Sequence, residues 1–194
     1  NMGWPMAMNV HEAGYNLTVF DLDSALTERF SVESGARSAV SLAELGEMDF
    51  VITMLPNGHV VREVLLETED GAFIQHAQKG CIVIDMSSAE PTGTRALAQE
   101  LAKKDVVCID APVSGGVPRA KLGTLAIMIG AEDNQALEKA RPLLQTMGAQ
   151  LFETGGIGAG HATKALNNLI AATSFVATSE AMLAAKRFGL DLDT

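Results

Sequence analysis

Three short apolar runs, each closing on a polar or turn-forming stretch, constrain this chain most. They are Phe50-Val-Ile-Thr-Met54, Cys81-Ile-Val-Ile-Asp85 and Val106-Val-Cys-Ile-Asp110. Runs this short, rich in β-branched residues and bounded by Pro, Asn, Gly and Asp, read as buried strands. Helical patterns alternate with them, at residues 60–66, 91–104 and 134–147, and two more precede them at 2–13 and 25–32. Further strands are expected at 17–21, 125–129 and 150–153. Strands bracketed by helices predict an α/β fold built on a doubly wound, mostly parallel sheet. The final stretch, from about 158 to 188, is rich in Ala and Leu and holds no proline. It predicts a helix too long for a compact domain, one that leaves the sheet and packs elsewhere.

Composition narrows the functions open to such a fold. The chain has 194 residues, 47% of them hydrophobic, enough for a real core. Its formal net charge is −10, with no long basic run, which argues against nucleic acid as a partner. A small anionic substrate would therefore need a local cation. The two cysteines, Cys81 and Cys108, sit in or beside strand-like runs without paired spacing, and read as reduced core thiols. No His, Asp and Glu cluster has metal-ligand spacing. No continuous apolar run is long enough to span a bilayer, so no membrane partner is expected.

The first motif lies at the start of the chain. Asn1-Met2-Gly3 opens directly into a helical segment, and Asp21 ends the following strand. In a Rossmann-type dinucleotide site a glycine-rich turn precedes the first helix, and an acid at the end of the second strand holds the ribose hydroxyls. Gly3 fits the third glycine of that turn. A carboxylate at Asp21 favours NAD and disfavours the 2′-phosphate of NADP. The alternative is a plain first residue followed by an acid that starts a helix.

Two further motifs carry chemistry. Asp110-Ala-Pro-Val-Ser114-Gly115-Gly116 follows a strand end, where a hydroxyl and two glycine N–H groups can form a small anion nest. Gly158-Ala-Gly160-His161-Ala-Thr-Lys164-Ala-Leu-Asn167-Asn168 opens the long helix. Lys164 and Asn168 share one helical face, which sets a proton-handling amine beside a hydrogen-bonding amide. A lysine acting as a base needs its pKa lowered by burial or a nearby cation. His161 is read as a residue of the helix start, more a cap than a partner of the lysine. Asp85 and Asp110 are read as turn-forming acids. His11, His59 and His76 carry no assigned role.

These motifs, together with Pro5-Met6-Ala7, Thr53-Met54-Leu55-Pro56, Asp85-Met86-Ser87-Ser88 and Gly123-Thr124-Leu125, resemble the β-hydroxyacid dehydrogenases typified by 3-hydroxyisobutyrate dehydrogenase. The resemblance covers essentially the whole chain. It implies a Rossmann-type NAD-binding domain over residues 1–157 and an interdomain helix over 158–194. It implies Lys164 as the catalytic residue, and Ser114, Gly115, Gly116 and Asn168 as the substrate site. Asn1, Met2, Gly3, Asp21, Leu55, Pro56 and Ser88 would bind the cofactor, NAD rather than NADP. The implied reaction is reversible oxidation of a small 3-hydroxy acid to its semialdehyde, in a homodimer or homotetramer of the cytoplasm or mitochondrial matrix.

The resemblance departs from the family pattern at both ends. The family's first strand and most of its glycine loop, and its all-helical C-terminal domain, have no counterpart among these residues. On that ground the 194 residues alone are expected to bind NAD poorly and to turn over little substrate. Competing readings keep the fold and change the role: a tartronate or succinic semialdehyde reductase, a threonate dehydrogenase, or a non-enzymatic nucleotide-binding module. Lys164 argues against the last.

Overall fold

The computed structural model describes residues 1–68 and 72–193. Residue 194, the last of the expected second segment, lies outside the described residues. The three apolar runs form β3 (Phe50–Thr53), β4 (Ile82–Asp85) and β5 (Val107–Asp110), parallel and in register. Every residue of β4 is buried, which is why its sequence is almost continuously apolar rather than alternating. Successive side chains point to opposite faces, and each face builds its own core. Ile82, Ile84 and Ile109 pack with Met6 and Val10 of α1 (Gly3–Glu12) and Leu137, Leu144 and Met147 of α6 (Asn134–Met147). Val83 and Cys108 pack on the other side with Val61 of α3 (Gly58–Arg62) and with Leu97 and Leu101 of α4 (Pro91–Ala102). Helices on both faces of one sheet are the doubly wound arrangement the alternation predicts.

The remaining strands depart from the expectation in instructive ways. β7 (Leu125–Gly130) runs antiparallel to β5, joined through the single pair Asp110–Gly130. A two-residue strand, β6 (Val113–Ser114), and a short helix, α5 (Gly116–Lys121), intervene and reverse the chain. Neither shows as a periodic segment, because two residues of strand and six of helix are too few to repeat a pattern. The last strand is longer than expected: β8 (Gly148–Gly155) pairs parallel with β7. The expected strand at 17–21 shrinks to β1 (Thr18–Val19), which pairs only with β2 (Arg37–Ser38), a strand the sequence reading misses. These two form a separate two-stranded sheet, while β3 ends the six-stranded one. The helix expected at 60–66 is α3 followed by a wider turn at Glu63–Glu67.

Helix boundaries follow their capping chemistry. α2 (Ser24–Ser34) starts where the Asp23 carboxylate accepts from the N–H groups of Ala25 and Leu26. α6 starts the same way on Asp133. The acid that starts α2 is therefore Asp23 and not Asp21. α7 (Ala159–Arg187) is 29 residues long, and Leu166, Leu169, Ile170, Phe175, Val176 and Leu183 stand exposed along it. By length and composition alone it would be apolar enough to cross a bilayer, although polar residues such as Lys164, Asn167 and Asn168 interrupt its apolar run.

Both thiols are buried and unpaired. Burial pushes the Cys81 thiol up to about 11, aided by Asp49, and pushes Cys108 up as well, beside Asp85 and Asp110. A thiolate is the reactive form, so neither is poised for attack. A disulfide-exchange reagent at neutral pH is expected to leave the native protein unmodified and to titrate both thiols once denaturant is added. Rapid labelling without denaturant would show that one of them is accessible.

Candidate functional site

The candidate residues gather at the carboxyl ends of the parallel strands. Thr53, Asp85 and Asp110 pair in register across β3, β4 and β5, and Gly130 of β7 extends the row. Ligands of open α/β sheets bind beyond this edge. Here the row is stitched by hydrogen bonds. The Thr53 hydroxyl donates to Asp85 Oδ1 at 2.9 Å, and the Ser87 N–H donates to the same oxygen at 3.0 Å. The Ser87 hydroxyl in turn accepts from the Leu55 N–H at 2.9 Å. The loops after β3 and β4 are thus held together by side chains buried in the edge.

Asp110 does more than form a turn. Its Oδ1 accepts from the Gly158 N–H at 2.6 Å and its Oδ2 from the His161 N–H at 2.8 Å. It satisfies the free N–H groups at the start of α7 from a distant strand, the job a local Ser or Asp usually does. Burial raises its pKa, against the pull of those two N–H groups. Gly160 makes the approach possible. A Cβ there would overlap the Met128 carbonyl oxygen and lie 2.8 Å from Asp110 Oδ2. The second glycine of the motif therefore serves helix–sheet contact, the use a glycine has where two backbones meet.

His161 is buried, with its ring inside the edge. Nδ1 lies 2.7 Å from the Thr94 hydroxyl and Nε2 lies 3.1 Å from the Ser87 carbonyl oxygen. The sequence reading of a capping residue is corrected: the ring faces inward, and the cap is Asp110. Thr53 and Ser87 entered the sequence reading only as members of motifs, with no role of their own, and Thr94 escaped it altogether. The available signal was three parallel strands each closing on a polar residue.

Lys164 lies one turn beyond Gly160, partly buried, and that burial lowers its pKa. It makes no ion pair among the described residues. Asn168 is exposed one turn further along α7. Ser114 ends β6 opposite Ala126 of β7, the strand on which α7 packs. Gly115 and Gly116 follow with φ of +135° and +65°, conformations that side chains rarely adopt, so the turn requires glycine. Leu55 is half-buried, while Pro56 and Ser88 are exposed beside it along the strand ends. Asn1 and Met2 precede α1, whose first turn has neither a side-chain cap nor an acid. Asp21 is exposed beyond β1 and accepts from the Asp23 N–H at 3.0 Å. Ser114 and Lys164 share no direct hydrogen bond among the described residues.

An α/β sheet with ligand-facing loops at its carboxyl edge and a long helix docked there defines a dinucleotide-binding domain. The family profile described as the NAD binding domain of 6-phosphogluconate dehydrogenase matches residues 1–156. The profile described as NAD-binding of NADP-dependent 3-hydroxyisobutyrate dehydrogenase matches residues 158–194, which contain α7. The chain belongs to the β-hydroxyacid dehydrogenase family. It is 38% identical over 192 residues to NAD-dependent L-serine dehydrogenase of Pseudomonas aeruginosa, covering 98% of this chain and 63% of that protein. It is also 38% identical to mitochondrial 3-hydroxyisobutyrate dehydrogenase of Mus musculus, covering 98% of this chain and 56% of that protein. Among solved structures, 3-hydroxyisobutyrate dehydrogenase of Mycobacterium tuberculosis with L-serine superposes at a TM-score of 0.90, with 34% identity, over 98% of this chain and 64% of that one. Imine reductase from Myxococcus stipitatus, at 16% identity and a TM-score of 0.88, shares the fold. The chain thus spans between half and two thirds of the length of these relatives.

Proposed function

We propose that the protein containing this chain is an NAD-dependent dehydrogenase that oxidises a 3-hydroxy acid bearing a primary alcohol to its semialdehyde. The observation that carries this reading is Lys164: a partly buried amine with a lowered pKa, unpaired among the described residues, on a helix docked at the ligand edge of the sheet. The relatives named for L-serine and 3-hydroxyisobutyrate support the substrate class. Both of those molecules are a hydroxymethyl group on a carbon that also bears a carboxylate, and they differ only in the third substituent. Ser114 and the N–H groups of Gly115 and Gly116 would take the carboxylate, and Asn168 would orient the alcohol.

The chain's own residues fit a nicotinamide dinucleotide. The uncapped first turn of α1, free of acids, suits a pyrophosphate next to Asn1, Met2 and Gly3. Exposed Asp21 has acceptor capacity left for ribose hydroxyls and would repel a 2′-phosphate, which favours NAD. Leu55, Pro56 and Ser88 would flank the nicotinamide end. Bound there, the nicotinamide would supply the hydride acceptor for oxidation of the alcohol carbon. Neutral Lys164 takes the hydroxyl proton at Nζ in oxidation, and its ammonium returns a proton to the carbonyl oxygen in reduction. We assign the dinucleotide domain to residues 1–157 and an interdomain role to 158–194. The exposed apolar residues of α7 support assembly of the intact protein as a homodimer or homotetramer. Two unpaired thiols suit a reducing compartment, cytoplasm or mitochondrial matrix.

The test is NADH formation by the full-length protein with L-serine, 3-hydroxyisobutyrate and secondary 3-hydroxy acids, using NAD and NADP in parallel. Turnover confined to primary alcohols, and greater with NAD, is expected. NAD binding without turnover of any hydroxy acid would replace this reading with a nucleotide-binding module.

A further inference from the structure

The buried imidazole of His161 occupies the centre of the strand-end network, and the lysine reading makes no use of it. Its Nε2 faces a carbonyl oxygen, that of Ser87, which can only accept, so Nε2 carries a hydrogen. Its Nδ1 meets the Thr94 hydroxyl at 2.7 Å, and that hydroxyl also lies 3.1 Å from the Glu90 carbonyl oxygen. The His161 backbone N–H meanwhile donates to Asp110. One residue therefore ties α7 to the loop after β4, to the first turn of α4, and to the end of β5.

These ties lead to both halves of the proposed chemistry. Ser87 accepts from His161 through its carbonyl and from the Leu55 N–H through its hydroxyl. Leu55 opens the loop proposed to flank the nicotinamide, and Ser88 adjoins Ser87 in the other. On α7, His161 precedes Lys164 by less than one turn, so both project from the same side of the helix. A rotation of the first turn of α7 would move the lysine and release Ser87 together. The only charged side chains within ion-pair reach of the ring among the described residues are Asp85, 3.8 Å from Nε2, and Asp110, 3.7 Å from Nδ1.

We propose that His161 is a positioning residue whose two ring hydrogen bonds fix the start of α7 against the loops at Leu55 and Ser87, setting where Lys164 stands relative to the cofactor. The proposal rests on the lysine reading for its catalytic consequence but not for its structural one. The ring needs to donate to Ser87 and to meet Thr94, so hydrogen bonding carries the effect, and a glutamine amide retains the donor to Ser87.

The experiment compares wild type, His161→Leu, His161→Gln and Thr94→Val in the full-length protein. Hydrogen exchange is followed over the start of α7 and over the loops at Leu55 and Ser87. Affinity for NAD, kcat, and KM for the hydroxy acid are measured in parallel. His161→Leu should accelerate exchange in both regions and lower kcat by about 10- to 100-fold, the scale of an ångström misplacement, with NAD affinity kept within about threefold. His161→Gln should restore most of both. Thr94→Val, which removes one of the two ring bonds along with the hydroxyl's contact to the Glu90 carbonyl and keeps the shape, should fall between wild type and His161→Leu, and serves in place of His161→Leu should that variant not fold. Unchanged exchange in Thr94→Val and His161→Leu, or faster exchange with kcat intact, overturns the proposal. A wild type that turns over no hydroxy acid refutes the dehydrogenase reading, and with it the catalytic consequence; the exchange comparison then still decides whether His161 holds the helix.

Discussion

Replacing Lys164 with alanine in the full-length protein is expected to lower kcat for the proposed hydroxy-acid oxidation by about 100- to 10,000-fold, the range of general acid–base catalysis, with NAD still bound. The lysine is expected to act at a pH below its ordinary titration because burial disfavours its charged form. The sign of the pH dependence follows. With the neutral amine as the proposed base, oxidation should rise with pH through a midpoint below 10.5, the ordinary value of the group. Reduction, for which the ammonium is the proposed donor, should fall over the same interval. Because the unfolded chain holds that proton to a higher pH than the folded one, this group makes stability rise with pH through the same window. A Lys164→Arg variant stays protonated and should fail in oxidation as alanine does. The measurements are steady-state rates in both directions against pH and an NAD titration of each variant. Full activity in Lys164→Ala would remove the lysine from the mechanism.

The sheet's central strands were legible because their physical cause is local. A strand buried on both faces must be apolar throughout, and residues 81–85 say so without any partner in view. Residues 113–114 and 37–38 say nothing, because two residues hold no period and their pairing is set by neighbours far along the chain. The glycine, serine and lysine motifs were legible as patterns, and the resemblance they carry places the chain in its family. The network beneath them was not. Asp110 reads as the acid of a turn; that it caps a helix 48 residues later depends on how the chain closes on itself. His161 reads as a polar residue at a helix start, and its burial follows from the convergence of α4, β4 and β5. Single-residue chemistry identifies groups that could react, while the contacts that aim them are tertiary.

Gly160 shows how much rests on that closure, and Gly160→Ala is expected to destabilise the protein by about 2–5 kcal/mol. Helix propensity alone favours alanine by about 1 kcal/mol. Against this, the new methyl would overlap the Met128 carbonyl oxygen and stand 2.8 and 2.9 Å from Asp110 Oδ2 and the Asp110 carbonyl oxygen. Two of those three atoms are backbone within the sheet and cannot swing aside, so the first turn of α7 has to lift. Overpacking of a tight contact costs about 1–3 kcal/mol. Lifting also lengthens the Gly158 and His161 N–H bonds to Asp110, and each buried polar group left without its partner costs about 1–3 kcal/mol more. Relief elsewhere keeps the total below the simple sum. Gly3→Ala is the control: its methyl would meet only Met54 Cβ, at 4.0 Å, an ordinary contact, and stability should move by less than about 1 kcal/mol. Denaturant midpoints of the two variants provide the comparison. A Gly160→Ala midpoint equal to wild type would mean that α7 does not dock through this contact, and the placement of Lys164 argued from it would fall as well. With docking lost in part, kcat should drop by about 100-fold even in the folded fraction, because the lysine moves with its helix.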